Sequence, residues 1–588
     1  MKRFLLSILF CLAIWANAQA GFNIIEAQAW KESAYITWTM DDNYESYRVY
    51  YSDNGVDYTA VDAHLLRRYP GYARADVPGL PAGSYRLKVV PLQDGKELND
   101  KALTSGELQV KAHDRSGYAH FNYSKGVGAY QDNGALKSDA QVFYITPDNA
   151  KTISGTVDGI ACTGFQALIN ARQKGKGSNP LCFRIIGCIK ADDMDAFGSS
   201  AQGLQVKGKS GYKEVNITIE GIGNDACFKG FGFLIRNCES LEIRNLGLLD
   251  FMDDGISIDT DNRHCWIHHI DFFYGQKGSA SDQVKGDGSL DCKGDSQYLT
   301  FAYNHFWDSG KSSMCGMKSE SGENFISYHH NWFDHSDSRH PRVRTMSVHV
   351  WNNYYDGVAG YAVGATMGAN VFVEANCFRD VNKPMLISLQ GSDISSGGKG
   401  TFSSEAGGII KAYGNLFSEQ SSDFKFVPHS QSATQFDAYL AQTRDEQVPE
   451  TYKTLSGGNV YNNFDTDNSR IYTYSPLAAE EVATYVTGYY GAGRLQHGDL
   501  QYSFSNSTDD HSTTIITALK TAVEGYSSQV LGLVGESNFK DAPTELPVVG
   551  RSKDQADDGQ CFDLQGRPIG EARKGEIYLQ GGRKFLQR

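Results

Sequence analysis

The 588-residue sequence is 40% hydrophobic and 21% charged, with 62 Gly and 14 Pro, a globular balance that excludes an intrinsically disordered chain or a disulfide-stapled miniprotein. Its formal charge is -14; without Lys2 and Arg3 of the leader described next, 53 basic residues face 69 acidic ones, a net of -16, a poor field for nucleic acid or anionic membrane. Aromatics at 12%, with 33 Tyr and 30 Phe, favour strands and tight turns, so an all-β fold is predicted.

In chain order, residues 1–20 set Lys2 and Arg3 before the apolar run Phe4 to Trp15 and the small-residue stretch Ala16-Asn-Ala18-Gln-Ala20, the layout of a cleavable signal peptide. A run of about a dozen apolar residues is too short to cross a bilayer, so a secreted, cell-surface or periplasmic protein without a transmembrane segment is expected. Residues 21–112 alternate apolar and polar in short runs, as in Ser33-Ala-Tyr-Ile-Thr-Trp38, Tyr47-Arg-Val-Tyr-Tyr51 and Ser84-Tyr-Arg-Leu-Lys-Val-Val90. They predict a small β-sandwich acting as a spacer or binding module. With Val77-Pro-Gly-Leu-Pro-Ala-Gly-Ser-Tyr85, these strands resemble a fibronectin type III module.

From about residue 213 the chain repeats a short β run, an Asn, and an aromatic or apolar pair. Examples are Leu241-Glu-Ile-Arg-Asn245, Tyr298-Leu-Thr-Phe-Ala-Tyr-Asn304-His-Phe306, Phe325-Ile-Ser-Tyr-His-His-Asn331-Trp-Phe333, Val348-His-Val-Trp-Asn-Asn353-Tyr-Tyr355 and Val371-Phe-Val-Glu-Ala-Asn376-Cys-Phe378. Asn spacings of 27, 22 and 23 fit one coil per repeat of a right-handed parallel β-helix, in which equivalent Asn side chains form a ladder and aromatics stack inside. Propeller blades of roughly 40 residues fit these spacings worse. The β-helix is placed at 113–548. Thr163 to Arg172 predicts a helix capping its first strand, residues 391–408 a mobile loop, and Leu477 to Tyr489 a second helix folding back on the barrel. The tail, 549–588, holds strands near Cys561 and Ile577 after a polar linker.

Three constellations on consecutive coils carry the chemistry. Asp254 and the pair in Asp287-Gly-Ser-Leu-Asp291 gather carboxylates on neighbouring coils; residues four apart on a strand share a face, and an all-oxygen set suits calcium. Lys311 follows one coil later, and Arg339-His-Pro-Arg-Val-Arg344 one coil after that, a local cationic site in an acidic protein. The histidines His264, His268, His269, His329, His330, His335 and His349 follow the coil repeat without an HExxH or HxxEH pattern, so packed histidines are expected rather than zinc ligands. The ten cysteines beyond the leader show no CxxC, and their pairing stays open.

On Gly126-Val-Gly-Ala-Tyr130, Asn216-Ile-Thr-Ile-Glu-Gly-Ile-Gly223, Arg244-Asn-Leu-Gly247, Asp287-Gly-Ser-Leu-Asp291, His329-His-Asn331, Arg339-His-Pro-Arg-Val-Arg344 and Val348-His-Val-Trp-Asn-Asn353, the chain from about 116 to 545 resembles the polysaccharide lyase family 1 pectate lyases. The resemblance implies a parallel β-helix, a Ca²⁺ cofactor and β-elimination of polygalacturonate. It assigns Asp254, Asp287 and Asp291 to calcium, Arg339 to catalysis, and Lys311 and Arg344 to substrate. Arginine is an unusual base because it holds its charge, so activity is expected to rise above neutrality. Where the family has Trp-Ile-Asp-His, this chain has Trp266-Ile-His-His269, which bears on local hydrogen bonding rather than on catalysis. The competing readings are a pectin lyase acting on methyl-esterified polymer without calcium, and a non-catalytic pectin- or glycan-binding β-helix. A monomer is expected.

Overall fold

In the computed structural model, the described residues are 21–533 apart from 198–202, 210–213, 319, 396, 493–499 and 501, together with short strands between 561 and 586. The predicted leader, 1–20, and most of the tail lie outside them.

The main body is a parallel β-helix. Stacked strands run from Gln141–Ile145 through Leu181–Ile185, Glu214–Gly221, Glu239–Leu249 and Arg263–Phe272 to Ile409–Tyr413 and Leu416–Ser418. A separate parallel sheet of eight strands forms the remaining face: Leu204–Lys207, Phe233–Arg236, Ile256–Ile258, Leu290–Cys292, Met314–Cys315, Arg342–Arg344, Val363–Thr366 and Met385–Ile387. Equivalent residues stack in register: Ile243, Ile267, Phe301, Tyr328, Val350 and Val373 form one buried column. Phe272, Phe306, Phe333, Tyr355, Phe378 and Phe417 form another, with successive ring centroids 4.8, 4.7, 5.0, 4.5 and 5.5 Å apart. Such spacings follow from the ~4.8 Å separation of paired strands, so each ring stacks on the next.

The predicted Asn ladder occupies one corner. Asn304 donates Nδ2 to Asn331 Oδ1 (3.0 Å), Asn331 to Asn353 (2.8 Å), Asn353 to Asn376 (3.0 Å) and Asn376 to Asn415 (2.9 Å). The residue before each of Asn304, Asn331, Asn353 and Asn376 is left-handed: Tyr303, His330, Asn352 and Ala375, with φ between 49° and 56°. That residue turns the chain, and the Asn amide then satisfies backbone groups the turn removes from the sheet.

The helix Phe165–Gly175 lies at the open end, burying Phe165, Leu168 and Ile169. Its first turn is capped from outside by Asp195, which accepts from Gln166 N and Ala167 N. The second helix is shorter than its sequence stretch, Ala479–Val486, and packs Val482 and Val486 against Tyr354 and Cys377. Cys188 and Cys227, neighbours in register on adjacent coils, form a disulfide.

Residues 21–112 form two antiparallel sheets around Trp38, Val49, Leu87 and Val89. They are joined to the β-helix by Trp30 Nε1 donating to Tyr489 O (3.0 Å), Tyr69 OH to Asp225 (3.1 Å) and Arg74 to Asn224 (2.9 Å). Gly532–Leu533 adds an edge strand to one sheet of the sandwich. In the tail, described by itself, the strands Pro568–Ile569, Cys561–Phe562, Ile577–Gln580 and Arg583–Leu586 form an antiparallel sheet.

Two expectations change. The 391–408 loop is pinned: the buried carboxylate of Asp393 accepts from Leu389 N, Thr401 N, Thr401 Oγ1 and Phe402 N at 2.7–3.1 Å. Asp287 precedes its strand, which begins at Leu290, so it meets the other carboxylates through a turn rather than by the four-residue repeat of a strand.

Candidate active site

The six residues singled out from the sequence lie on or beside the eight-stranded sheet. Bridges pair Gly288 with Lys311 and Lys311 with Ser338, placing the turns that carry Asp287, Lys311 and Arg339 on three consecutive coils. Asp254 sits one coil earlier, where its Oδ1 accepts from Gly288 N at 3.1 Å.

Asp253, Asp254 and Asp287 place carboxylate oxygens within 4.8 Å of one another. Asp291 is buried directly behind, its Oδ1 accepting from Met314 N at 2.8 Å. A Cβ on Gly288 would stand 2.6 Å from the Asp291 carboxylate, so glycine lets that carboxylate lie against the turn. Burial, and then the charge of Asp291, push the Asp254 carboxyl well above its ordinary range. Burial raises the Asp291 carboxyl as well, with the Met314 N–H and then Arg339 partly offsetting it. The neighbouring lysines are Lys311, whose Nζ is 2.5 Å from Asp287, and Lys293, 3.8 Å from Asp254. A set of hard oxygen donors without nitrogen or sulfur fits a calcium ion. Asp253 was missed in the sequence: nothing in the repeat tells which of two adjacent aspartates in a turn faces the cluster.

Arg339 has a left-handed backbone (φ 66°) and is followed by the cis peptide His340–Pro341. Buried His340 anchors the turn through Nδ1 to Tyr361 O (2.9 Å), while its carbonyl accepts from Tyr355 OH (2.9 Å). Between Arg339 and Lys311 stands Asp282, largely exposed, its Oδ2 3.4 Å from Arg339 and 3.8 Å from Lys311. Its carboxylate is an internal stand-in, showing that the gap between the two cations admits an anion beside the acidic cluster.

Arg344 is held differently. Its Nε donates to Glu405 of the pinned loop at 3.0 Å and its Nη1 to Gly316 O at 3.1 Å. Glu405 also pairs with Lys318 (2.7 Å) and lies 3.5 Å from Arg342. Burial works against the Glu405 anion, but these cations outweigh it and hold the carboxyl down at about 2. The structure thus brings Asp254, Asp287, Lys311 and Arg339 together, sets Asp291 behind them, and turns Arg344 toward the loop.

At the Trp266-Ile-His-His269 departure, His268 stacks on Trp266 (centroids 3.8 Å) and its Nε2 meets Glu242 Oε1 at 3.2 Å.

A family profile described as pectate lyase matches residues 148–495, more than half of the chain. A pectate trisaccharide-lyase of Bacillus licheniformis is 30% identical over 228 residues, 38% of this chain and 63% of that protein. Pectate lyase E of Dickeya chrysanthemi is 24% identical over 359 residues, 54% of this chain and 83% of that one. This chain therefore spans just under two thirds of the Bacillus relative. Among solved structures, a pectate lyase from Bacillus sp. N165 in complex with trigalacturonate aligns with TM-score 0.44 and 22% identity, covering 65% of this chain and 99% of that one.

Proposed function

The chain belongs to the pectate lyase family, and from that premise we propose that it is an exported, calcium-dependent lyase that cleaves α-1,4-polygalacturonate by β-elimination to 4,5-unsaturated oligogalacturonides. The observation that carries this reading is the register of Asp287, Lys311 and Arg339 on three consecutive coils, with Asp282 already seated between the two cations.

In this reading Asp254, Asp287 and Asp291, joined by Asp253, hold Ca²⁺, which when bound supplies positive charge beside the substrate carboxylate. Lys311 takes a uronate oxygen in the place the Asp282 carboxylate now marks. The uncharged form of Arg339 removes the proton from C5; the C4–O4 bond breaks, a C4=C5 double bond forms, and the departing oxygen is protonated. Negative charge building beside an existing carboxylate is what clustered cations stabilise. The need for an uncharged arginine places the activity above neutrality. Arg344 reaches substrate once it leaves Glu405. The sandwich at 21–112 is assigned as fibronectin type III-like, supported by Tyr85 OH donating back to Pro81 O at 3.1 Å. The β-helix unit is assigned to 113–548 and the tail segment to 549–588.

The test follows the ultraviolet absorbance of the unsaturated product from polygalacturonate, with and without chelator. Product that vanishes with chelator and returns with excess calcium is expected. Chelator-insensitive product, formed faster from methyl-esterified polymer, would make the chain a pectin lyase. Binding without product at any pH would make it a glycan-binding protein.

A further inference from the structure

Outside the active site, three buried imidazoles converge where the segment leaving the N-terminal sandwich crosses the β-helix. His268 and His269 come from one coil corner; His113 comes from the crossing segment. In an extended strand His268 and His269 would point to opposite sides, but His269 is left-handed (φ 53°), and their Nδ1 atoms stand 2.8 Å apart.

We propose that His113, His268 and His269 form a divalent transition-metal site, of the kind that takes zinc, clasping the segment that leaves the N-terminal sandwich to the β-helix coil beneath it. Three imidazoles bound tetrahedrally at about 2.0–2.1 Å per nitrogen hold those nitrogens roughly 3.3 Å apart, so the Nδ1 atoms of His268 and His269, now at 2.8 Å, would part slightly to take an ion. The ring centroids are separated by 5.0 Å (His113 to His268), 5.2 Å (His113 to His269) and 5.1 Å (His268 to His269). One nitrogen of each ring lies within 4.8 Å of the others, so the three can face a single ion.

The surroundings support this. His268 Nε2 lies 3.2 Å from Glu242, and a proton held there leaves Nδ1 with its lone pair facing His269, the carboxylate–histidine pairing that orients metal-bound imidazoles. In the absence of an ion a single proton shared between the two Nδ1 atoms closes the 2.8 Å contact as a hydrogen bond. His113 Nδ1 is buried with no hydrogen-bond partner among the described residues. The nearby arginines are matched by carboxylates: Arg115 pairs with Glu32, and Arg244 with Glu220 and Glu242. A cavity of about 40 Å³ lined by Trp30, Lys31, Glu32 and the three histidines among others has room for water beside them, since one water needs roughly 10–15 Å³. Sequence spacing shows none of this, because the third histidine lies more than 150 positions upstream of the pair.

The test uses the full chain. Zinc is measured by elemental analysis after chelator-free purification, and cobalt is titrated into stripped protein with calcium in excess to fill the carboxylate cluster. One zinc per chain is expected, with a cobalt spectrum of tetrahedral intensity saturating at one equivalent. His113→Gln and His268→Gln are expected to weaken cobalt binding at least tenfold, and Asp287→Asn to leave it unchanged. Should a variant not fold, the stoichiometry and spectrum of the unaltered chain decide. Absence of both overturns the proposal. So does His113→Gln binding cobalt as the unaltered chain does, which would move the ion to His329 and His330 beside Asp114.

Discussion

Arg339 and Arg344 stand five positions apart in one segment, yet the structure gives them different work. Arg339 faces Lys311 across the Asp282 carboxylate, whereas Arg344 is bound to Glu405 and a backbone carbonyl. Removing Arg339 takes away the proposed base while leaving every carboxylate of the cluster in place. Arg339→Ala is therefore expected to lower kcat by about 10²–10⁴-fold, the usual contribution of a positioned proton acceptor, with calcium affinity by titration calorimetry nearly unchanged. Equal loss of turnover and calcium binding would make Arg339 a structural residue. At this scale the sequence carried the residue types well, since the spacing of Asp254, Asp287, Lys311 and Arg339 follows the coil. It did not carry Asp253, Asp282 or Glu405, whose positions depend on turns and on a loop pinned by Asp393, which leave no periodic trace.

Among elements, the Asn ladder is the feature most directly legible in the chain, because a β-helix repeats its corner at nearly the spacing of its sequence repeat. Asn331 accepts from Asn304 N and Nδ2 and donates to Phe301 O and Asn353 Oδ1, all buried. Asn331→Ala strands these partners and is expected to cost about 2–4 kcal/mol, since each buried polar group left unpaired costs ~1–3 kcal/mol; denaturant midpoints measure this. A midpoint unchanged from the unaltered chain would show the ladder to be ornamental.

The segment around Asp510 is held by another element-scale device. His335 Nδ1 lies 2.6 Å from Asp334 and its Nε2 3.1 Å from Asp510, with Phe504 stacked on the ring. Burial disfavours a charged His335, but the two carboxylates more than reverse it and hold its pKa up at about 10. The folded value lies above the unfolded imidazole's ~6.5, so this contribution is complete below about pH 6.5 and is lost as pH rises through about 10. Hydrogen exchange is expected to show residues 502–516 loosening between pH 7 and 10, and His335→Gln to flatten that dependence. Protection that stays constant across the range would contradict the clasp.

At the scale of the whole molecule, the N-terminal sandwich, read from the sequence as a spacer or binding module, packs directly on the β-helix. Lys31 Nζ sits 3.6 Å over the Tyr303 ring, Trp30 donates to Tyr489 O, and Gly532–Leu533 returns to complete a sandwich sheet. Alternation within residues 21–112 revealed the sandwich but not its docking, because contacts between residues hundreds of positions apart have no local signature. Deleting 21–112 is expected to lower the melting temperature by several degrees or leave the rest insoluble. An unchanged melting temperature would restore the detachable-module picture.

In the proposed reaction, stacked turns bring a divalent metal and the cations Lys311 and Arg339 to one groove. The most direct measurement is a crystal structure of Arg339→Ala soaked with calcium and a short oligogalacturonate. Calcium is expected among Asp254, Asp287 and their neighbours, with a uronate carboxylate against Lys311 where Asp282 now reaches. A saccharide bound on another face, or a carboxylate cluster that stays free of metal at saturating calcium, would contradict it.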